Sequence, residues 1–218
     1  SGNLDQRGIG DVWTMTVNEY KKSSIWVRLQ YRFTRNPIVL FVLIPLGLFI
    51  VYQRFCYASA SKRDRYSVYG MNISLLLYAV GLSLLYGFWN FLLIQLTITA
   101  VSGTIGVWLF YVQHQFEDTY WRNEEDWDYT ASAMEGSSFY KLPAVFNWFS
   151  GSIGYHHIHH LSSRIPNYNL QACHQAEPFF QKVPELTLLN SFKSIGLRLW
   201  DEDSKKLVGY KILRENQT

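Results

Sequence analysis

The stretch Met71-Asn-Ile-Ser-Leu-Leu-Leu-Tyr-Ala-Val-Gly-Leu-Ser-Leu-Leu-Tyr86 begins the part of the chain that decides its fold. Gly87-Phe-Trp-Asn90 and a second apolar run follow it, and no residue from Met71 to Val112 is charged. A helix needs about 20 apolar residues to cross the hydrocarbon core of a bilayer. The stretch is long enough for two crossings, residues 71–86 and 91–112, joined by aromatic residues that suit a membrane interface. We therefore predict a transmembrane helical hairpin.

A shorter apolar segment, residues 37–52, precedes this hairpin and has Pro45-Leu-Gly47 near its centre. It is too short for a straight crossing, and its proline and glycine favour a kink or a turn. Cytoplasmic flanks of membrane segments are rich in lysine and arginine. Basic residues stand on both sides of this segment: Lys21, Lys22, Arg28, Arg32, Arg35, Arg54, Lys62, Arg63 and Arg65. We predict a re-entrant or interfacial hairpin whose two ends are both cytoplasmic.

The remaining segments complete an all-α integral membrane fold. Residues 1–36 are expected to be cytoplasmic or interfacial: irregular up to Thr16, then a helix in the membrane interface, because apolar and basic residues mix there. Residues 113–180 are expected to form a cytoplasmic cap. Residues 181–218 form a polar tail, in which alternation from Gly196 to Tyr210 favours a small β-hairpin. The net charge of +3 is small and concentrated beside apolar segments, which argues against a nucleic-acid partner.

Four of the six histidines lie in Gly154-Tyr-His-His-Ile-His-His160. On a helix, positions i, i+3 and i+4 share one face, so His156, His159 and His160 point the same way. Three imidazoles on one face form a nitrogen-rich pocket suited to iron, zinc or copper. We therefore predict that these three histidines are metal ligands, whereas His157 points elsewhere and is left out.

The same spacing resembles a known family. His156-x-x-His159-His160, followed by Leu161-Ser-Ser-Arg-Ile-Pro-Asn-Tyr-Asn-Leu170, closely resembles the last histidine box of integral-membrane fatty acid desaturases, with the bacterial acyl-lipid type nearest. Val112-Gln-His-Gln-Phe-Glu-Asp-Thr-Tyr-Trp121 resembles the segment that ends the last membrane helix of that family. The opening stretch, Ser1 to Asp11, resembles the residues that follow the family's second box. The resemblance implies that His114 is an additional iron ligand.

Desaturases of this kind carry three histidine boxes, and only the third is present here. We therefore expect the chain to be the C-terminal part of a longer enzyme and to be inactive alone. The resemblance implies a di-iron centre that uses O2 to introduce a cis double bond into a lipid-linked fatty acyl chain. It also implies a ferredoxin or a cytochrome b5 as electron donor, and a histidine box on the cytoplasmic side.

Metal-bound imidazoles usually donate their second nitrogen to a carboxylate or carbonyl. Glu117, Asp118 and Asp128 are the nearest acidic candidates for that role, against the alternative of a solvated acidic surface. Two other functions stay open. One is a membrane di-iron hydroxylase or ketolase, although the Ser-Ser-Arg-Ile-Pro-Asn-Tyr run favours a desaturase. The other is a non-catalytic membrane metal-binding protein.

Overall fold

A computed structural model describes residues 2–7 and 12–215 of the chain. The expected irregular start, Ser1 to Thr16, therefore lies partly outside the described residues. The fold is mostly helical, with 65% of residues in helices and a few short strands. The chain divides into two compact units, one formed by Ser1–Gln30 with Leu109–Thr218 and the other by Tyr31–Trp108.

The α-helices follow one another along the chain as α1 Val17–Lys22, α2 Ile25–Thr34, α3 Ile44–Ile50, α4 Lys62–Tyr86, α5 Phe88–His114, α6 Tyr129–Glu135, α7 Ala144–Phe149, α8 His156–Leu161, α9 Leu170–Ala176, α10 Leu188–Ser191 and α11 Ile212–Glu215. The strands are β1 Met15–Thr16, β2 Phe139–Lys141, β3 Glu185–Thr187, β4 Leu199–Asp201 and β5 Lys206–Val208. A π-helical turn covers Val39–Leu43, and short 3-10 turns cover Tyr52–Arg54, Glu124–Asp126, Ile153–Tyr155, Asn167–Asn169, Pro178–Gln181 and Phe192–Gly196.

The two helices α4 and α5 are long and apolar enough to cross a membrane. Within the Tyr31–Trp108 unit they contact one another through Tyr78, whose hydroxyl donates to Gln95 Oε1 at 3.2 Å. The ring of Tyr78 also meets Phe91 edge to face at 5.9 Å. The predicted helical hairpin is therefore present.

Both helices extend beyond the predicted crossings, residues 71–86 and 91–112, whose bounds stay a prediction. The first helix begins with a capping box in which Ser61 Oγ accepts from the Asp64 amide and the Asp64 carboxylate accepts from the Ser61 amide. A capping box starts a helix irrespective of whether its first turn is apolar, so α4 includes the charged residues Lys62 to Arg65. The helix ends at Gly87, which has a φ of 84°.

The predicted kink or turn at Pro45-Leu-Gly47 does not break the helix, because the backbone is helical through both residues. Pro45 has no N–H to donate to the carbonyl of Phe41, four residues earlier in this continuous helical backbone. The axis instead bends by 63° between Thr34 and Val39. Thr104 Oγ1 on α5 donates to the carbonyl of Phe41 at 2.6 Å. The re-entrant character of residues 37–52 stays a prediction.

A three-stranded sheet lies in the other unit, with strand order β1-β4-β5. Strand β1 is parallel to β4, and β4 and β5 form an antiparallel hairpin in which Leu199 pairs with Val208. The predicted C-terminal β-hairpin is therefore confirmed. Trp121, Trp200 and Leu207 form a buried cluster there. The hairpin thus packs against the segment that follows α5.

A second, two-stranded sheet pairs β2 with β3 in parallel. It supports the histidine helix α8, because Phe139 of β2 packs against a buried cluster of Tyr155, Ile158 and Leu170. The helix α7 begins at Ala144, shortly after this strand.

Candidate metal centre

His114 is the last residue of α5 and is almost fully buried, with 3% of its surface exposed. Its Nδ1 lies 3.1 Å from the carbonyl oxygen of Gly136. A carbonyl can only accept, so Nδ1 carries the proton and Nε2 keeps a free lone pair. A backbone carbonyl on the second nitrogen is a common way to orient a metal-binding imidazole.

His156 and His160 lie one turn apart on α8 and direct their Nε2 atoms at the Nε2 of His114. The three Nε2–Nε2 distances are 3.0 Å from His114 to His156, 3.1 Å from His156 to His160 and 3.3 Å from His114 to His160. First-row metals bind imidazole nitrogen at about 2.0–2.1 Å, so nitrogens that share one ion lie about this far apart. The three side chains therefore fit a single metal ion.

Burial keeps these imidazoles uncharged. It lowers the pKa of His156 far below its ordinary range, and the nearby His114 and His160 rings lower it further. Burial and the neighbouring His114 also lower the pKa of His160 to about 3. Because metal ions bind the neutral form of imidazole, both side chains are ready ligands at neutral pH.

The fourth predicted ligand, His159, occupies a different position. Its side chain is exposed, and its ring stacks against His156 with the centroids 5.6 Å apart. Within the described residues, the cluster able to hold a metal consists of His114, His156 and His160. A ligand role for His159 stays a prediction.

The three acidic residues proposed to orient the ligands have other partners. Glu117 and Asp118 are exposed and both bind Lys206 Nζ of β5, at 3.1 and 3.0 Å. Asp128 caps α6, since its Oδ1 accepts from the Ala131 amide at 2.7 Å. The group that orients His114 is thus the Gly136 carbonyl, which belongs to the turn after α6.

A second imidazole pair was not foreseen from the sequence. His157 is fully buried, and its Nε2 lies 3.0 Å from Nδ1 of His174, which joins α8 to α9. Phe139 stacks on His174 at 4.8 Å and on Tyr155 at 4.9 Å. Burial lowers the pKa of His157 to about 4, with His174 adding to the effect. The spacing of the two residues along the chain gives no signal of this contact.

The approach of α8 to β2 requires a glycine. A Cβ on Gly154 would lie 2.4 Å from the carbonyl oxygen of Tyr140 and 3.4 Å from Asn147 Oδ1. Any side chain at this position would push the turn before α8 away from β2. The glycine in the histidine motif therefore sets the position of His156.

Two comparisons relate this chain to known proteins. The sequence model of the family described as fatty acid desaturase matches residues 5–186. A protein of Bacillus subtilis (strain 168) named fatty acid desaturase is 46% identical over 214 residues, which cover 98% of this chain and 61% of that protein. The chain thus spans somewhat less than two thirds of the length of this relative.

Proposed function

Because the chain belongs to the fatty acid desaturase family, we propose that it forms part of an O2-dependent di-iron enzyme that introduces a cis double bond into a lipid-linked fatty acyl chain. One observation carries this proposal. Three imidazole Nε2 atoms converge where the apolar helix α5 ends, within 3.3 Å of one another. A metal bound there would lie at the end of α5, a helix long and apolar enough to cross a membrane.

The C–H bonds of an unactivated acyl chain are too strong for side-chain acids and bases, and bound iron with O2 supplies the oxidant. The chain's own residues would hold that metal. His114, His156 and His160 provide neutral nitrogens, the Gly136 carbonyl fixes the ring of His114, and burial excludes water from two of the three rings. We propose that His159 is a ligand of the second metal, whose other ligands come from other residues.

Two irons need more ligands than these histidines provide. We infer that the remaining ligands come from another part of a longer protein, which agrees with the 61% coverage of the Bacillus subtilis relative. A ferredoxin or cytochrome b5 would deliver the electrons. Basic residues flank residues 37–52 on both sides, as is typical of the cytoplasmic side of a membrane. A helical hairpin returns the chain to the side on which it starts, which supports a cytoplasmic location for the histidine box.

The proposal is tested by the metal content of the longer protein that contains this chain, purified from cells grown with iron. We expect two irons per protein, and a large loss of iron in His156→Ala and His160→Ala. The DNA directly upstream of the codon for Ser1 should encode further histidine boxes in frame. A stop codon there without histidine boxes would contradict the enzyme proposal.

A non-catalytic metal-binding role is the second candidate, because the three converging nitrogens can hold one ion without further ligands. Three imidazoles suit zinc as well as iron. Stoichiometric zinc without iron, in a protein purified with both metals supplied, would favour this candidate over the desaturase.

A further inference from the structure

The Tyr31–Trp108 unit contains an open cavity of about 640 Å³ beside the first turns of α4. One part of its wall is polar and includes Arg54 from the turn after α3. The other part is apolar and includes Val68 and Met71 of α4. A cavity whose lining combines a cation with apolar side chains fits an amphipathic ligand.

Arg54 is held in place by Asn72 of α4. The guanidinium Nη1 donates to Asn72 Oδ1 at 3.2 Å, and Asn72 Nδ2 donates back to the Arg54 carbonyl at 2.9 Å. Its Nε is buried and has no hydrogen-bond partner among the described residues. A ligand cannot reach this buried Nε, but Arg54 lines the cavity, so the rest of its guanidinium can meet an acceptor of a ligand there.

The surroundings of the cavity favour an anion. No acidic residue occurs from Tyr20 to Arg63. Asp64, which also lines the cavity, is engaged in the capping box, where its Oδ2 accepts from the Ser61 hydroxyl at 2.7 Å. Arg65 does not line the cavity but fixes its loop wall, since it donates to the carbonyls of Ala58 and Ala60 at 2.9 and 3.1 Å.

The rim of the cavity is aromatic. Tyr52, Phe55 and Tyr57 line it and are all exposed, and the rings of Tyr52 and Tyr57 meet edge to face at 6.2 Å. Exposed tyrosines beside basic residues are typical of the level of lipid headgroups. From there, Val68 and Met71 continue along a helix that is apolar enough to cross a membrane.

We propose that this cavity binds the headgroup of an anionic glycerophospholipid, with the phosphate on Arg54 and an acyl chain along Val68 and Met71. The site involves none of the histidines and lies wholly within the Tyr31–Trp108 unit. It is therefore independent of the proposed desaturase function. A zwitterionic headgroup fits less well, because Asp64, the acid in the cavity lining, is already bound to Ser61 in the capping box and Arg54 would repel an ammonium group.

The test titrates dioleoyl phosphatidylglycerol or dioleoyl phosphatidylcholine into the detergent-purified full chain and counts bound lipid by native mass spectrometry. Four variants are compared. Arg54→Gln removes the charge, Arg54→Lys keeps it, Ser67→Trp fills the cavity but leaves every cation, and Arg63→Gln is the matched control because Arg63 is exposed and does not line the cavity. Inorganic phosphate is titrated as a separate arm.

We expect one phosphatidylglycerol per chain, bound more tightly than phosphatidylcholine. Loss of a charge-assisted hydrogen bond should weaken binding by roughly tenfold or more in Arg54→Gln, with partial recovery in Arg54→Lys. Ser67→Trp should block binding, and Arg63→Gln should bind like the unmodified chain. Equal binding by the unmodified chain and both Arg54→Gln and Ser67→Trp would overturn the proposal. So would an equal loss in Arg63→Gln, equal affinity for both lipids, or inorganic phosphate binding as tightly as the lipid.

Discussion

The Nδ1 atom of His114 lies 3.1 Å from the carbonyl oxygen of Gly136, 22 residues further along the chain. This contact connects the end of α5 to the turn after α6. It fixes both the tautomer and the orientation of His114, so that its Nε2 points at His156 and His160. The position of that carbonyl depends on Gly136, because a Cβ there would lie 2.4 Å from the backbone oxygen of Ser132.

Gly136→Ala should therefore disturb the metal centre without touching a ligand. We expect a loss of about 1–3 kcal/mol in stability from the steric conflict and a loss of about 10–100-fold in metal affinity, as for other groups that orient ligands. Chelator competition with Co²⁺ and its visible absorption spectrum measure the affinity. Gly196→Ala is the control, since a Cβ on Gly196 meets no atom within 4 Å. Equal Co²⁺ affinity in both variants would show that the Gly136 carbonyl does not orient His114.

In this chain, alanine substitution of a converging histidine should lower metal affinity much more than alanine substitution of His159. His156→Ala and His160→Ala each remove one of three nitrogens that share a site, so Co²⁺ affinity should fall by more than about 100-fold, beyond the effect of an orienting group. His159→Ala should have a much smaller effect in the chain alone, because its side chain is exposed. In the longer protein the same change should lower the iron content, if His159 binds the second metal. A large effect of His159→Ala in the chain alone would contradict the three-histidine arrangement.

Glu117→Gln and Asp118→Asn test the expectation that these acids orient the ligands. Both carboxylates bind Lys206 at an exposed site, and exposed ion pairs contribute only about 0–1 kcal/mol. We expect both variants to bind Co²⁺ with unchanged affinity and an unchanged spectrum. A tenfold weaker affinity in either variant, about 1.4 kcal/mol, would instead support an orienting role.

The ion pair between Arg7 and Glu19 should make stability depend on pH. Arg7 Nη1 donates to Glu19 Oε2 at 2.7 Å, and this hydrogen bond lowers the pKa of Glu19 below its ordinary value. A carboxylate with a lowered pKa stabilises the fold above its unfolded pKa of about 4.3, and this contribution is lost as the pH falls through the lowered value. Glu19→Gln should therefore melt at a lower temperature at pH 7 and show a shallower decline towards pH 3.

Thermal melts of Arg7→Gln provide the control for this pH effect. Arg7→Gln breaks the same ion pair and also the hydrogen bonds to the carbonyls of Leu4 and Thr14, so its loss at pH 7 should be at least as large as that of Glu19→Gln. Melting temperatures of the unmodified chain and Glu19→Gln that decline in parallel from pH 7 to pH 3 would argue against the ion pair.

Much of this architecture could be predicted from local sequence. The uncharged stretch from Met71 to Val112 indicated two long apolar helices, and the alternation around Asp201 indicated the hairpin β4-β5. Both signals depend on neighbouring residues and are readable from a single chain. The capping box at Ser61 and Asp64 was also present in the sequence, and it would have placed the start of α4 correctly.

Long-range contacts could not be predicted in the same way. The pairing of β2 with β3 joins Phe139 to Glu185, and the contact between His157 and His174 joins two helices. Helical periodicity brought His156 and His160 together, but only the family resemblance selected His114. The Gly136 carbonyl was not foreseen, because any backbone carbonyl can accept a hydrogen bond and the sequence does not indicate which one does.

The central claim is that the His114, His156 and His160 cluster belongs to a lipid desaturase. The most direct test expresses the longer protein that contains this chain in a host without the activity and analyses host acyl chains by gas chromatography with mass spectrometry. We predict new cis double bonds in lipid-linked acyl chains with the unmodified protein and none with His160→Ala present at the same level in the membrane. An iron-loaded, membrane-inserted protein that forms no double bond, or equal products from His160→Ala, would contradict the claim.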